Sequence, residues 1–142
     1  MDTYVIRQVS VFSENRPGRL AAIARALQDE KINILAFSIA EADGFGVVRA
    51  LVDRPDRAFE RLGSLGFNVA FTDVIAVKMR DEPGGLYEIA RILGDAQINI
   101  EYSYAYSGKE AAIIILRVDD VQSAIQVLLE RGAGIMESSA FQ

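Results

Sequence analysis

The sequence predicts an α+β protein made of two tandem β-α-β-β-α-β modules, each a four-stranded antiparallel sheet with two helices on one face. Two observations carry this. Arg16-Pro17-Gly18-Arg19-Leu20, with Ile23-Ala24-Arg25 and Ile32-Asn33-Ile34, returns 66 residues later as Glu82-Pro83-Gly84-Gly85-Leu86, Ile89-Ala90-Arg91 and Ile98-Asn99-Ile100. At the same offset Val52-Asp53 matches Val118-Asp119, and Ala58, Leu62 and Gly66 match Ala124, Leu128 and Gly132. Register held that far without a gap means duplication of one module. Within each copy the apolar residues then switch between strand and helix periods in the stated order.

The elements of the first copy follow in turn. Tyr4 to Phe12 is rich in β-branched residues and runs into the polar Ser13-Glu14-Asn15-Arg16, a strand feeding a loop. Pro17 at a first helical position opens a helix whose Leu20, Ile23, Ala24 and Leu27 keep the 3.6 period. Ile32 to Ala42 is a strand, Asp43-Gly44 a turn, and Phe45 to Val52 the returning strand of a hairpin. Pro55 opens the second helix through Ala58, Phe59, Leu62 and Leu65; Gly66 ends it, and Phe67 to Phe71 is the last strand.

The second copy places strands near Val74 to Met79, Ile98 to Tyr106, Ala111 to Val118 and Ile135 to Ser138. Its helices span Pro83 to Ala96 and Val121 to Arg131. Only Thr72-Asp73 separates the last strand of one copy from the first of the next, which predicts rigid coupling and modules at 1–72 and 73–142. Units this small bury only about 60% of their unfolded surface, so they are expected to lean on each other or on a second chain. Tyr102, Tyr104 and Tyr106 fall on one strand face, while Leu35, Phe37 and Ile39 take the opposite parity. Packing between copies and across a homodimer is one use for such faces; a stacking platform for nucleic-acid bases is the other.

Composition narrows the function. The 142 residues are 51% hydrophobic and 25% charged, as globular chains are. With 15 Lys plus Arg against 20 Asp plus Glu, the net charge of −5 offers no footing for a phosphate backbone, which argues against nucleic acid. There is no Cys and no His, so thiolate nucleophiles, disulfides, imidazole bases and His or Cys metal sites are excluded. No apolar run is long enough to span a membrane, and Met1-Asp2-Thr3-Tyr4 lacks a signal-peptide start. A cytoplasmic protein without metal, cofactor or membrane association is expected.

The strand, the short loop ending in Asn15-Arg16-Pro17-Gly18-Arg19-Leu20 and the closing Ile32-Asn33-Ile34 resemble the ACT domain, an amino-acid-sensing module with a ferredoxin-like fold. The second copy carries the same pattern as Asp81-Glu82-Pro83-Gly84-Gly85-Leu86 with Ile98-Asn99-Ile100. The chain is most similar to free-standing proteins that consist of two tandem ACT domains. That resemblance implies a regulatory protein, not an enzyme, with an amino acid ligand and a biosynthetic enzyme as partner. It places the ligand between the loop and a strand edge of a neighbouring module. It assigns Asn15, Gly18, Arg19 and Leu20 to one site and Asp81, Gly84, Gly85 and Leu86 to its equivalent.

The chemistry of the loop suits such a ligand. A helix starting just after a strand presents unpaired N–H groups and a partial positive charge to an α-carboxylate. Gly18 and Gly84 let a ligand approach the backbone, and the oxygens of Asn15 and Asp81 can accept from an α-ammonium. The same two residues would also serve as helix N-caps. Asn33 and Asn99 either reach the ligand through backbone or amide, or stabilise the turn that starts a strand. The first loop is basic and the second acidic, so the two sites are expected to differ. Arg16 and Arg19 would favour a second carboxylate or stay solvated.

Three classes of function are compatible with these residues. They are an amino-acid-binding regulator, a regulatory subunit or scaffold with no ligand of its own, and an enzyme. The last lacks any paired acid and base at motif spacing.

Overall fold

The computed structural model describes residues 3–108 and 111–142. Along the chain they form β1 (Ile6–Glu14), α1 (Arg19–Asp29), β2 (Ile34–Ala42), β3 (Phe45–Val52), α2 (Pro55–Ser64) and β4 (Asn68–Met79). There follow α3 (Gly85–Asp95), β5 (Ile100–Ser107), β6 (Ala112–Val118), α4 (Val121–Glu130), β7 (Gly134–Ile135) and a 3₁₀ turn at Ser138–Phe141. Met1 and Asp2, on which the reading of the N-terminus rests, lie outside the described residues.

The chain divides into two compact units. One holds Arg7–Thr72 with Phe141–Gln142; the other holds the described residues up to Ile6 together with Asp73–Ala140. In the first, the strand order is β2-β3-β1-β4, with β1 and β2 both antiparallel to β3. Val9 and Val11 of β1 and Val48, Ala50 and Val52 of β3 alternate toward one face, where Ile23, Ala26 and Leu27 of α1 and Ala58 and Leu62 of α2 close the core. Both helices therefore lie on one side of the sheet. The 3.6 and 2.0 periods in the sequence meet there because each presents a single apolar face.

The second unit repeats the design. β6 pairs antiparallel with β4 and β5, and β7 takes the outer side of β4. Ile75 and Val77, with Ile114, Leu116 and Val118, pack against Ile89 and Leu93 of α3 and Ala124, Ile125 and Leu128 of α4. This is the ferredoxin-like α+β fold expected of each copy.

Several boundaries differ from the sequence reading. The strands placed on either side of Thr72-Asp73 are one strand, β4, because neither residue breaks an extended chain and the flanking residues are β-branched or aromatic. The final strand is only Gly134–Ile135; Ser138 already belongs to the 3₁₀ turn, held by its N–H to the Thr3 carbonyl at 2.7 Å. Pro17 and Pro83 precede their helices rather than opening them, since α1 starts at Arg19 and α3 at Gly85.

The hairpin at Asp43-Gly44 forms as expected, with φ of 53° and 83° at its two central residues. Those angles are the ones a two-residue turn needs to match strand twist. On the edge strands, Tyr102, Tyr104 and Tyr106 pair with Arg117, Ile115 and Ile113, away from the helices. Phe37 and Ile39 pair with Ala50 and Val48, on the helix side. Leu35 drops out of that alternation at a bulge between Ile34 and Ala36.

Candidate ligand-binding loops

In both units the chain leaves the first strand, makes a turn and enters a helix through a left-handed glycine. Gly18 has φ 91° and Gly84 φ 94°, and each occupies the N-cap position with no side chain capping the helix. Asn15 and Asp81 are therefore not N-caps. At φ near +90° a side chain would be strained, which is why glycine stands at both places.

The turn ties up some helix N–H groups and leaves others. Arg19 N–H donates to the Arg16 carbonyl at 3.2 Å and Ala22 N–H to the Gly18 carbonyl at 3.0 Å. Gly85 N–H donates to Glu82 at 3.1 Å and Glu88 N–H to Gly84 at 3.1 Å in the same pattern. Between them, Leu20 and Ala21 in one loop, and Leu86 and Tyr87 in the other, have N–H groups with no backbone acceptor among the described residues. The space beside Gly18 and Gly84 is open to 4 Å. A pair of free donors at a helix start, beside an unobstructed glycine, is the arrangement a carboxylate requires.

Around this shared frame the loops diverge. In the first, Asn15 N–H is fixed to the Gly44 carbonyl at 2.8 Å, and the Asn15 side chain lies against Gly46. Asn15, Arg19 and Leu20 line one small cleft of about 20 Å³ with Ser13, Ile39 and Gly46. Arg19 does not reach freely into it. Its Nε donates to Ser13 Oγ at 2.9 Å, and its guanidinium stacks 5.0 Å from the Phe67 ring centre.

In the second loop Asp81 is exposed and carries no hydrogen bond or ion pair among the described residues. Glu82, which makes the loop acidic in sequence, is engaged by Arg80, and Arg80 is shared with Glu88. The Glu88 carboxylate, and after it Glu82, raise the Arg80 guanidinium above its ordinary pKa. Much of the expected acidity of this loop is thus neutralised locally, and Asp81 is left as its free carboxylate.

Gly85 has a different task from its neighbour. It is buried, and a Cβ there would stand 2.0 Å from the Arg80 carbonyl oxygen. The glycine lets the start of α3 press against the end of β4. A concavity of about 440 Å³ in this unit runs from Gly85 past Tyr87, Glu88 and Arg91 to Arg131 and Gly134. Of the residues assigned from the sequence to the two ligand sites, only Gly85 borders it. Arg80, Glu88 and Arg131 escaped the sequence reading, although one signal was present: at the repeat offset Arg19 and Phe67 become Gly85 and Ala133, so the filled space of copy one is emptied in copy two.

Asn33 and Asn99 stand elsewhere. Asn33 N–H donates to Asp53 Oδ1 at 3.0 Å and its carbonyl accepts from Asp53 N–H at 3.2 Å; Asn99 and Asp119 repeat the exchange at 3.0 and 3.1 Å. Their backbone groups are thereby spent on joining the start of β2 to the end of β3, and of β5 to β6. Each lies at the opposite end of its sheet from Asn15 or Asp81, a strand length of roughly 30 Å at about 3.3 Å per residue. Within a unit, then, the fold gathers Asn15 with Arg19 and Leu20 and separates Asn33 from them.

Among the described residues no three carboxylates come together to hold a metal, and no helix is long and apolar enough to cross a membrane.

A family model described as an ACT domain pair matches residues 4–140. No curated protein matches the chain in sequence. Among solved structures, protein BT0572 from Bacteroides thetaiotaomicron superposes with a TM-score of 0.91 at 33% identity, covering 96% of this chain and 94% of its own. The ligand-free regulatory subunit of aspartate kinase from Thermus thermophilus superposes at 0.65 with 15% identity, over 91% of this chain and 93% of its own. Aspartokinase III of E. coli, in complex with lysine and aspartate, aligns at 0.52 with 16% identity, over 89% of this chain and 31% of its own. The latter two likenesses are of fold.

Proposed function

The chain belongs to the family of ACT domain pairs, a regulatory domain type, and from that premise we propose that it is a regulatory protein that binds a free amino acid at its two strand-to-helix loops. The observation that carries the reading is the repeated pair of unpaired helix N–H groups beside an open left-handed glycine, Leu20 and Ala21 by Gly18, and Leu86 and Tyr87 by Gly84. These donors take the α-carboxylate. Asn15 or Asp81 accepts from the α-ammonium, and Leu20 or Leu86, both exposed in the first turn, forms a wall for the side chain. Arg19 and Gly85 shape the two mouths differently, so the sites differ in affinity.

The site is completed by a neighbouring module. Asn33 and Asn99 lie too far from the loop of their own unit to touch the same ligand, so they join it only from another module. The protein in this reading is a cytoplasmic homodimer without catalytic activity that passes its ligand state to a biosynthetic enzyme. The regulatory subunit of aspartate kinase has the same fold, which supports that class of partner.

A thermal-shift screen against the common amino acids tests the reading. A ligand that binds only the folded state raises the melting temperature with concentration. The scaffold alternative predicts no shift for any of them.

A further inference from the structure

We infer that the cleft beside Arg131 in the second unit is a binding site for a small dianion, a phosphate ester or a dicarboxylate, separate from the amino-acid loops. It stands whether or not those loops hold an amino acid. At about 440 Å³ the cleft has the size of a small-molecule site. Ile89 and Ile92 line it with apolar surface, and Lys78, Arg80, Arg91 and Arg131 outnumber its one carboxylate, Glu88. In a chain of net charge −5 this is a local excess of cations.

The duplication supplies an internal control. At the repeat offset Lys78, Arg80 and Arg131 correspond to Phe12, Glu14 and Leu65. The same offset sets Gly85 and Ala133 against Arg19 and Phe67, whose stacked side chains fill this place in the first unit. Open space and positive charge thus occur together, in one copy only. Neither is needed for the fold, which the first copy builds without them. Gly134, where the first copy has Asn68, fits the same pattern: a Cβ there would stand 3.1 Å from the Lys78 Cβ, so the glycine leaves room for the lysine stem.

Charge selects the ligand. Arg80 is held by Glu82 and Glu88, and Arg91 lies 3.6 Å from Asp95. Lys78 and Arg131 make no side-chain hydrogen bond or ion pair among the described residues. Two unpartnered cations at one cleft match two negative charges, and a single dianionic molecule supplies both. Arg131 offers a planar fork of donors and Lys78 a mobile point charge, which suit phosphate and carboxylate oxygens. The helical period puts Tyr87, Glu88, Arg91 and Ile92 on one flank of α3 and Leu86 on the other. The dianion and the amino acid therefore use opposite flanks of that helix.

Titration with inorganic phosphate and, separately, with succinate tests the site, read by calorimetry and by thermal shift at low ionic strength. Saturable binding of at least one is expected; phosphate alone identifies a phosphate ester as the ligand class, succinate alone a dicarboxylate. Arg131→Leu and Lys78→Gln should each weaken binding about tenfold, as loss of one charge-assisted bond does. Leu65 ends α2 where Arg131 ends α4, so the fold accepts leucine there. Ala133→Phe, which restores the residue of the first copy, should abolish binding, and the Arg131 variant keeps the test decisive if this one fails to fold. Asp81→Ala, in the amino-acid loop, should not weaken it. Neither saturable heat nor a thermal shift with either anion, or parental affinity in both the Arg131 and Lys78 variants, overturns the proposal.

Discussion

The guanidinium of Arg19 lies 5.0 Å above the ring of Phe67 and fills, in the first unit, the space that Gly85 and Ala133 leave open in the second. One module copied in register has diverged here by a pair of coupled changes. The stacked pair adds stability where the ion is partly shielded from water. A double-mutant cycle of Arg19→Ala and Phe67→Ala should therefore show a coupling of about 0.5–1 kcal/mol in urea unfolding. Additive losses would mean that the stacking contributes nothing.

The two glycines at the start of α3 are expected to respond in a definite order. Gly84→Ala places a methyl group in open space but at φ 94°, a left-handed strain of about 1–2 kcal/mol. Gly85→Ala drives a methyl group into the Arg80 carbonyl and should cost about 3 kcal/mol, because backbone must move. Thermal or urea unfolding of the two variants checks the order. The left-handed torsions of Gly84 give it a structural duty beside the access to the backbone that the sequence suggested.

Acid should weaken the second unit through α4. Asp120 caps that helix, accepting from Ser123 N–H at 3.1 Å and Ser123 Oγ at 2.7 Å. Those bonds from Ser123 hold its carboxyl below the ordinary value of 3.8. A depressed folded-state pKa means stability that is present above the unfolded value and lost as pH falls through the folded one. Asp120→Ala should thus lower the urea midpoint at neutral pH, and the gap from the parent should close as the pH drops below the carboxylate range. A gap independent of pH would show that the charged cap is not the cause.

Much of this was legible in the sequence, for identifiable reasons. The duplicated Pro-Gly-x-Leu and Ile-Asn-Ile segments exposed the modules because their offset never shifts, and apolar periods placed all four helices. Asp73 looked like punctuation, but an aspartate without glycine or proline does not end a strand, and β4 runs through it. Asn15 and Asp81 have the side chains of N-caps; which residue caps depends on turn geometry, and both turns deliver a left-handed glycine instead. The groove beside Arg131 was hidden because its walls come from residues far apart in the chain. The separation of Asn33 from Asn15 depends on which end of the sheet each occupies, which periodicity does not encode.

Calorimetric titration of the protein with each common amino acid tests the central claim most directly. The account predicts saturable binding of at least one, and a weakening of about tenfold or more when Asp81→Ala or Asn15→Ala removes the ammonium acceptor. Absence of saturable heat for every amino acid at millimolar concentration, or parental affinity in both variants, would contradict it.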